Sequence, residues 1–276
     1  MPKPRFPTII ECDELAAHLG EKQLVVIDVC KKEIWQQAHI PGAVHIEYPQ
    51  ILRIEKPVMG LLPESAEFEK LMISLGVNND THVVAYDDEG GGKASRLLWT
   101  LEAYGHSHYS LLNGGLMAWA NEGWPLDKKI IEPVTGNFSA PKEFTSAVSP
   151  RQAVLENLDN EQVQLLDARS IGEYTGEKKF AARGGHVPGA IHFDWMDIMD
   201  PSRNGRLKNS KELISALKKR GFSTDKHITC YCHTHHRSAL SFIMLKSLGY
   251  TDISGYPGSW SDWGNDKETP IESNSN

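Results

Sequence analysis

Short apolar runs alternate along the chain with longer segments in which apolar residues recur every three or four positions. Runs rich in aliphatic residues lie at 24–29, 81–86, 163–168 and 227–231, whereas residues 238–248 show the longer periodicity. Runs of this length favour buried β-strands, and the longer periodicity favours amphipathic or buried helices. Strands that alternate with helices predict an α/β fold with parallel sheets.

The same order of elements occurs twice. Each copy has an apolar strand ending in aspartate, then His-Ile/Val-Pro-Gly-Ala, a further strand, a glycine turn and a tryptophan five residues beyond it. At the end of the second apolar strand stands Asp87 in the first copy and Cys232 in the second. The matched spacing indicates an internal duplication. The histidine elements lie at 39–43 and 186–190, and the tryptophans are Trp119 and Trp263.

The length of 276 residues suits two domains of ordinary size. Residues 126–144 carry proline and glycine without helical periodicity, which is typical of a linker. We therefore predict an N-terminal domain at 1–125 and a C-terminal domain at 145–276. The polar tail at 272–276 is expected to fray.

Composition excludes several classes of function. A net charge of −7 without clusters of lysine or arginine argues against a nucleic-acid partner. No apolar stretch approaches the ~18 residues of a membrane helix, and the N-terminus lacks the apolar segment of a signal peptide. We therefore expect a cytoplasmic protein without membrane contact. Its cysteines are expected to be reduced thiols, and they are Cys12, Cys30, Cys230 and Cys232.

Cys232 is the strongest candidate for chemistry. It stands between a predicted strand and a predicted helix, where the backbone N–H groups of residues 233–237 can converge on its sulfur. The helix dipole and the permanent charge of Arg237 add positive potential. These features lower a thiol pKa and favour a nucleophilic thiolate. The alternative is a buried, inert cysteine, which the polar loop after it disfavours.

The tandem pattern resembles the two-domain rhodanese family of sulfurtransferases. The matching elements are Asp-x-Arg, His-Ile/Val-Pro-Gly-Ala, strand–Cys-x4-Arg–helix and Gly-x4-Trp, over nearly the whole chain. The resemblance implies two α/β domains, each a small parallel sheet flanked by helices, with the active cysteine in the C-terminal copy. It implies that Cys232 takes a sulfane sulfur as a persulfide and passes it to a thiophilic acceptor. Neither a cofactor nor a resident metal is expected.

The resemblance also bears on the sulfur donor. The family's mercaptopyruvate type carries Cys-Gly-x-Gly-Val-Thr, and its vertebrate thiosulfate type carries Cys-Arg-x-Gly-Val-Thr. This chain has His235 where those loops have the second glycine, and Arg237 where they have threonine. It looks like a bacterial variant, Cys-x-Thr-His-His-Arg, that is associated with thiosulfate. Thiosulfate is therefore the expected donor, with 3-mercaptopyruvate as the alternative.

Residues near Cys232 are expected to bind the donor. Arg169 matches a family arginine that faces the active cysteine; alternatively, it is a surface residue paired with Glu173. Glu173 departs from vertebrate relatives, which commonly have a second arginine there. Trp195 is interpreted either as an apolar wall for the persulfide or as a core residue. The predicted substrate-binding set is Arg169, Trp195, His233, Thr234, His235, His236 and Arg237.

The same loop allows other interpretations. His233, His235 and His236 either shape the rim of the site, act as cations near neutral pH, or bind zinc together with Cys230 and Cys232. Zinc is disfavoured because all five residues lie within seven positions. A cysteine-dependent phosphatase would have five residues between cysteine and arginine, and this loop has four. A further alternative is a persulfide or selenium carrier that delivers its cargo to a partner protein.

The first copy lacks the nucleophile. Its loop begins Asp87-Asp88-Glu89, whose charges would repel an anionic donor, so this copy is predicted to be a non-catalytic scaffold. Cys30 is interpreted as a buried small residue, and Cys12 has no cationic neighbour in sequence. A small-molecule donor and acceptor are expected. Cyanide, glutathione, thioredoxin and a partner protein are left open as acceptors, and the chain is expected to be a monomer.

Overall fold

The structure is a computed structural model that describes residues 5–273. Residues 1–4, part of the N-terminus interpreted as lacking a signal peptide, and residues 274–276, part of the tail predicted to fray, lie outside the described residues. Glu272, at the start of the tail, exchanges backbone hydrogen bonds of 2.8 and 2.9 Å with His186. The fraying predicted from polarity is therefore wrong at Glu272, because backbone pairing does not require an apolar side chain.

Helices and strands alternate along both halves of the described chain. The first half contains β1 (Ile9–Ile10), α1 (Cys12–His18), β2 (Leu24–Asp28), α2 (Lys32–Gln37), β3 (Val44–His45), β4 (Arg53–Glu55), β5 (Val58–Leu61), α3 (Ser65–Ser74), β6 (His82–Tyr86), α4 (Gly92–Ala103), β7 (Tyr109–Leu112) and α5 (Gly115–Asn121). The second half contains α6 (Arg151–Glu156), β8 (Val163–Asp167), α7 (Ile171–Thr175), β9 (Ile191–His192), β10 (Met199–Asp200), β11 (Arg206–Leu207), α8 (Ser210–Lys219), β12 (His227–Tyr231), α9 (Arg237–Ser247), β13 (Ile253–Gly255) and α10 (Ser259–Trp263). Each of these helices is too short or too polar to span a bilayer.

The first compact unit comprises the chain up to Ile51, Pro63–Thr145 and Met199–Leu207. Its parallel sheet has the strand order β1-β7-β6-β2-β3. Strand β6 is buried along its whole length, and Val26 and Ile27 of the neighbouring strand β2 are buried as well, as in a sheet covered on both faces. The α/β architecture predicted for this copy is confirmed.

The second compact unit comprises Leu52–Leu62, Ser146–Ile198 and the chain from Lys208 onward. Its parallel sheet has the order β13-β12-β8-β9, and the register places Tyr231 of β12 beside Asp167 of β8. The residues that follow these two strands therefore emerge at the same edge of the sheet, where ligands of parallel α/β sheets bind. Helix α9 packs against β12 and β13.

Two antiparallel hairpins were not predicted. The hairpin β4–β5 groups with the second unit, where the Met59 N–H donates to the Ser261 hydroxyl over 3.1 Å. The hairpin β10–β11 groups with the first unit, where the Leu207 N–H donates to the Asn113 side chain over 2.8 Å. Each unit thus includes a segment from the half of the sequence that carries the other copy. The boundaries drawn from sequence between 125 and 145 stay predictions.

The segment predicted as a linker, residues 126–144, has neither helix nor strand, yet it is ordered as part of the first unit. The Gly136 N–H donates to the Ile73 carbonyl over 2.9 Å, and the Phe138 N–H donates to the Val77 carbonyl over 3.1 Å. The Phe138 side chain is buried against the ring of Phe68. These long-range bonds order residues that have no periodic pattern of their own.

Candidate active site

Cys232 directly follows β12 at the carboxyl edge of the second sheet. Its backbone is fixed by the turn that follows β13. The Cys232 N–H donates to the Ser259 hydroxyl over 3.3 Å, and the Trp260 N–H donates to the Cys232 carbonyl over 2.9 Å. The neighbouring carbonyl of His233 accepts the Ser261 N–H over 2.9 Å. The turn at 256–261 therefore sets the position from which the loop leaves the strand.

The loop at 233–236 turns sharply before α9 begins at Arg237. His235 has φ = 54°, a left-handed conformation that is uncommon outside glycine but is enriched for histidine. Its ring is fully buried, and Nδ1 shares a hydrogen bond of 2.8 Å with the Ser238 hydroxyl. Because related loop types have glycine at this position, the structure explains the exchange: the backbone needs positive φ, and the Ser238 contact anchors the larger residue.

The surroundings of Cys232 favour a thiolate. Burial by itself raises the pKa of this thiol, but the Arg237 charge and hydrogen bonds from Ser238 and the Thr234 N–H outweigh burial, so the pKa is lowered. The thiol is 0% exposed, as the inert-cysteine alternative assumes. Its polar, cationic environment, in contrast, is that of a nucleophilic cysteine.

Arg237 is held by a carboxylate. Its Nη1 donates to Glu173 Oε2 over 2.6 Å, and its Nη2 donates to Oε1 over 2.8 Å. Glu173 is itself fixed at the start of α7, where its Oε2 accepts hydrogen bonds from the Ser170 hydroxyl and N–H in a capping box. Although burial raises the pKa of Glu173, the Arg237 and Ser170 contacts lower it to about 2. The pair is a bidentate ion pair at the edge of the cysteine loop.

Arg169 lies beneath the site in a buried ion pair. Its guanidinium donates to both carboxylate oxygens of Asp167 and to the Gly185 carbonyl, and it stacks on Trp260 at 4.3 Å. The Tyr231 hydroxyl also donates to Asp167, over 2.7 Å. With 1% exposure, Arg169 is not the surface residue paired with Glu173 that was considered as an alternative. Its described contacts do not include Cys232.

The structure brings most of the other predicted residues to the loop. Trp195 is half-buried, and its ring centre lies 5.9 Å from that of His236. His233 faces the exposed ring of Phe180 at 6.1 Å, and burial lowers its pKa. Thr234 lies under the hairpin β4–β5, where Gly60 passes so close to the Thr234 carbonyl that no side chain would fit. Trp195 therefore borders the loop at His236, and the hairpin β4–β5 borders it at Thr234.

A family model described as "Rhodanese-like domain" matches residues 11–122 and again residues 151–266. The chain belongs to the rhodanese family. It is 39% identical over 270 residues to a thiosulfate sulfurtransferase of Pseudomonas aeruginosa, with 97% of each chain covered. It is 33% identical to the sulfur carrier protein TtuD of Thermus thermophilus, with 95% of each chain covered. Among solved structures, SseA from Escherichia coli, a 3-mercaptopyruvate sulfotransferase, matches with a TM-score of 0.82 and 28% identity, covering 92% of this chain and 99% of that one.

The first rhodanese domain places a carboxylate where the second places the thiol. Asp87 is 1% exposed, and its two oxygens accept N–H groups of Glu89, Gly91 and Ala94 over 2.8–3.0 Å. The convergent N–H groups of this loop are therefore occupied by the Asp87 side chain. A carboxylate cannot form a persulfide, so this loop has no sulfur nucleophile.

The remaining cysteines of this rhodanese are poor nucleophiles. Burial raises the pKa of Cys12 to about 12 and raises the pKa values of Cys30 and Cys230 as well. Arg206 lies 3.5 Å from the Cys12 sulfur, a cationic neighbour that the sequence did not indicate, but Arg206 is also paired with Glu11 and Glu122. Within residues 5–273, no group of three histidine, cysteine or acidic side chains is arranged to hold a metal.

Sequence reasoning named Glu173 but missed its hydrogen bonds to Arg237, and it missed the serines that support the loop. Ser238, Ser259 and Ser261 hold the loop by hydrogen bonds, and Glu173 holds Arg237. Ser259 and Ser261 lie just after Gly258, the glycine turn that closes the second copy, so the motif pointed to their region but not to their role. Only the adjacency of β13 and β12 shows that this turn meets the cysteine.

Proposed function

We propose that this rhodanese is a sulfurtransferase that moves the sulfane sulfur of thiosulfate to a thiophilic acceptor through a persulfide on Cys232. The observation that carries the proposal is the low-pKa thiol at the strand–helix junction, flanked by Arg237 and the N–H groups of the loop. The 39% identity to a thiosulfate sulfurtransferase over nearly the whole chain supports the same activity.

The reaction consists of two displacements. The Cys232 thiolate attacks the outer sulfur of thiosulfate, the S–S bond breaks, and sulfite leaves with the electron pair. The outer sulfur now forms a cysteine persulfide, whose negative end is stabilised by the loop N–H groups, the N-terminus of α9 and Arg237. In the second step an acceptor such as cyanide attacks this sulfur, thiocyanate leaves, and the thiolate is restored.

Arg237 is the proposed contact for the anionic donor, since its side chain is 20% exposed beside the loop. Arg169 was predicted to bind the donor as well. Because Arg169 is buried and paired with Asp167, we propose a different role for it. Its charge acts on the loop without contact with the donor, and its hydrogen bonds hold the edge of the sheet. Trp195, His233, Thr234, His235 and His236 form the proposed wall and rim of the donor site.

Mercaptopyruvate is the alternative donor, supported by the structural likeness to SseA. Delivery of the persulfide sulfur to a partner protein is the alternative outcome, supported by the 33% identity to the carrier TtuD. Glutathione and thioredoxin are proposed thiol acceptors beside cyanide. Four free thiols support a reducing location such as the cytoplasm, and a monomer is proposed.

Intact-mass measurement after incubation with thiosulfate, and separately with mercaptopyruvate, tests this function. A gain of one sulfur atom, mapped to Cys232 by peptide analysis, is expected with thiosulfate. Cys232→Ser should gain no sulfur and lose sulfur transfer to cyanide, whereas the matched control Cys30→Ser should behave like the unmodified protein. Transfer that persists in Cys232→Ser would disprove the assignment of the nucleophile.

A further inference from the structure

Glu173 stands out among the residues around the loop because it places a full negative charge in a site proposed to receive an anion. Its side chain is 6% exposed, and the low pKa keeps it ionised at neutral pH. A carboxylate at this position would repel a doubly charged donor unless a neighbouring cation compensated its charge. The partner is Arg237, the residue whose charge also lowers the pKa of Cys232.

The ion pair with Glu173 uses only some of the N–H donors of the Arg237 guanidinium. The carboxylate takes one N–H from each terminal nitrogen of Arg237. A guanidinium has five N–H donors, so three remain for the loop and for a donor anion. The bidentate contact also fixes the plane of the guanidinium, which a flexible arginine at the first turn of α9 would not otherwise keep.

Glu173 is itself held from behind. The Ser170 hydroxyl and N–H both bind its Oε2, at 2.9 and 3.2 Å, so the carboxylate does not depend on Arg237 for its position. Arg169, the other cation beside the loop, is likewise matched by Asp167. Both arginines of the site are therefore paired with a carboxylate, and the potential that a donor meets is lower than two arginines alone would give.

We infer that Glu173 is a positioning residue that sets donor specificity: it orients Arg237 at the cysteine loop and cancels part of its charge, so that the site discriminates among donors by their charge. This inference rests on the proposed function. A dianion such as thiosulfate loses more attraction to the carboxylate than a monoanion does, because the repulsion is proportional to donor charge. The carboxylate thus limits affinity for dianions while it keeps the guanidinium in place.

Glu173→Gln tests the inference because glutamine has nearly the same shape, keeps one oxygen acceptor for Arg237 and is also compatible with a capping box. The KM for thiosulfate should fall about three- to tenfold at low ionic strength, and this gain should shrink in high salt. For a monoanionic donor, such as an alkyl thiosulfonate or mercaptopyruvate, the fold-change should be about the square root of that value. The ultraviolet absorbance of the thiolate should show a lower pKa for Cys232, since the Arg237 charge is less compensated.

Glu212→Gln is the matched control. Glu212 occupies the same N3 position in the capping box of α8, paired with Asn209, and is exposed. It should leave the KM for both donors unchanged. Glu173→Asp retains the charge but shortens the reach, and it should lower kcat without the gain in thiosulfate affinity. An unchanged or raised thiosulfate KM in Glu173→Gln, with a folded protein, would overturn the inference.

A binding measurement separates this inference from the proposed function. Calorimetric titration of thiosulfate into Cys232→Ser and into Cys232→Ser/Glu173→Gln measures donor affinity without turnover. Tighter binding by the double variant supports the role of Glu173 even if the protein with Cys232 takes up no sulfur, a result that would reject the proposed function alone. Equal dissociation constants for the two variants would reject the inference while leaving sulfur uptake on Cys232 as a separate result.

Discussion

Replacing Arg169 by alanine should destabilise the second unit far more than it weakens donor binding. The substitution leaves the Asp167 carboxylate buried at 0% exposure, with the Tyr231 hydroxyl and the backbone N–H of residue 169 as its remaining donors. Breaking a buried ion pair from one side costs about 3–5 kcal/mol. Loss of the stacking on Trp260, at 4.3 Å, adds roughly 0.5–2 kcal/mol. A total of about 3.5–7 kcal/mol is comparable with the whole stability of many domains.

Urea denaturation followed by tryptophan fluorescence measures this loss, because Trp260 packs directly on the substituted side chain. The double variant Asp167→Asn/Arg169→Met removes both charges, and it should recover a substantial part of the stability that Arg169→Ala loses. Under conditions in which Arg169→Ala is folded, its thiosulfate KM should rise less than that of Arg237→Ala. A variant as stable as the original protein with a KM raised more than tenfold would refute this reasoning and would return Arg169 to direct donor binding.

Three further predictions address the loop, the donor and the first domain. Arg237→Ala should raise the pKa of Cys232 and increase the thiosulfate KM more than tenfold, since a charge-assisted contact contributes about 1.5–3 kcal/mol. Thiolate absorbance measures the pKa, and steady-state kinetics measure the KM. An unchanged KM would mean that backbone N–H groups alone bind the donor. The value of kcat/KM should be higher with thiosulfate than with 3-mercaptopyruvate. Hydrolysis of p-nitrophenyl phosphate should be absent, because four loop residues leave no room for a phosphoryl group. Cys232-dependent phosphate release at a comparable rate would contradict the assignment as a sulfurtransferase. Burial lowers the pKa of His82 to about 3, so the unfolded chain, with a pKa of about 6.5, binds a proton that the folded protein excludes. Stability should therefore fall as pH drops from about 6.5 towards 3, by about 2–3 kcal/mol at pH 4.5, and urea midpoints for His82→Gln should show a smaller acid loss; equal acid losses would show that His82 is not responsible.

The fold was predictable where the pattern is local. The strands predicted at 24–29, 163–168 and 227–231 appear within one residue of those bounds, because each is an aliphatic run between turn residues. The two hairpins at 53–61 and 199–207 were not predictable in the same way. Their strands are two to four residues long and gain their order from contacts such as Met59 to Ser261, which lie far apart in sequence.

The candidate site was predictable to the same extent. The strand–Cys–helix order indicated Cys232 and Arg237, and the structure places them as the order requires, with Arg237 beginning α9. The partner of Arg237 was not evident, because Glu173 lies 64 residues away on a different helix. Sequence spacing instead suggested Arg169 as the neighbour of Glu173, since four residues form one helical turn, but α7 begins only at Ile171. Arg169 thus lies before the helix, and its side chain pairs with the strand residue Asp167.

The sequence alone determined the duplication and the alternation of strands and helices, and it indicated the proposed nucleophile, because all three depend on the order and spacing of residues along the chain. Only the tertiary structure decided which charges meet. Burial removes Arg169 and Asp167 from water together, which makes their pairing obligatory, and the fold brings Glu173 of α7 within ion-pair distance of Arg237 at the start of α9. Electrostatic pairing depends on distance in space, and a linear pattern encodes that distance only through the completed fold.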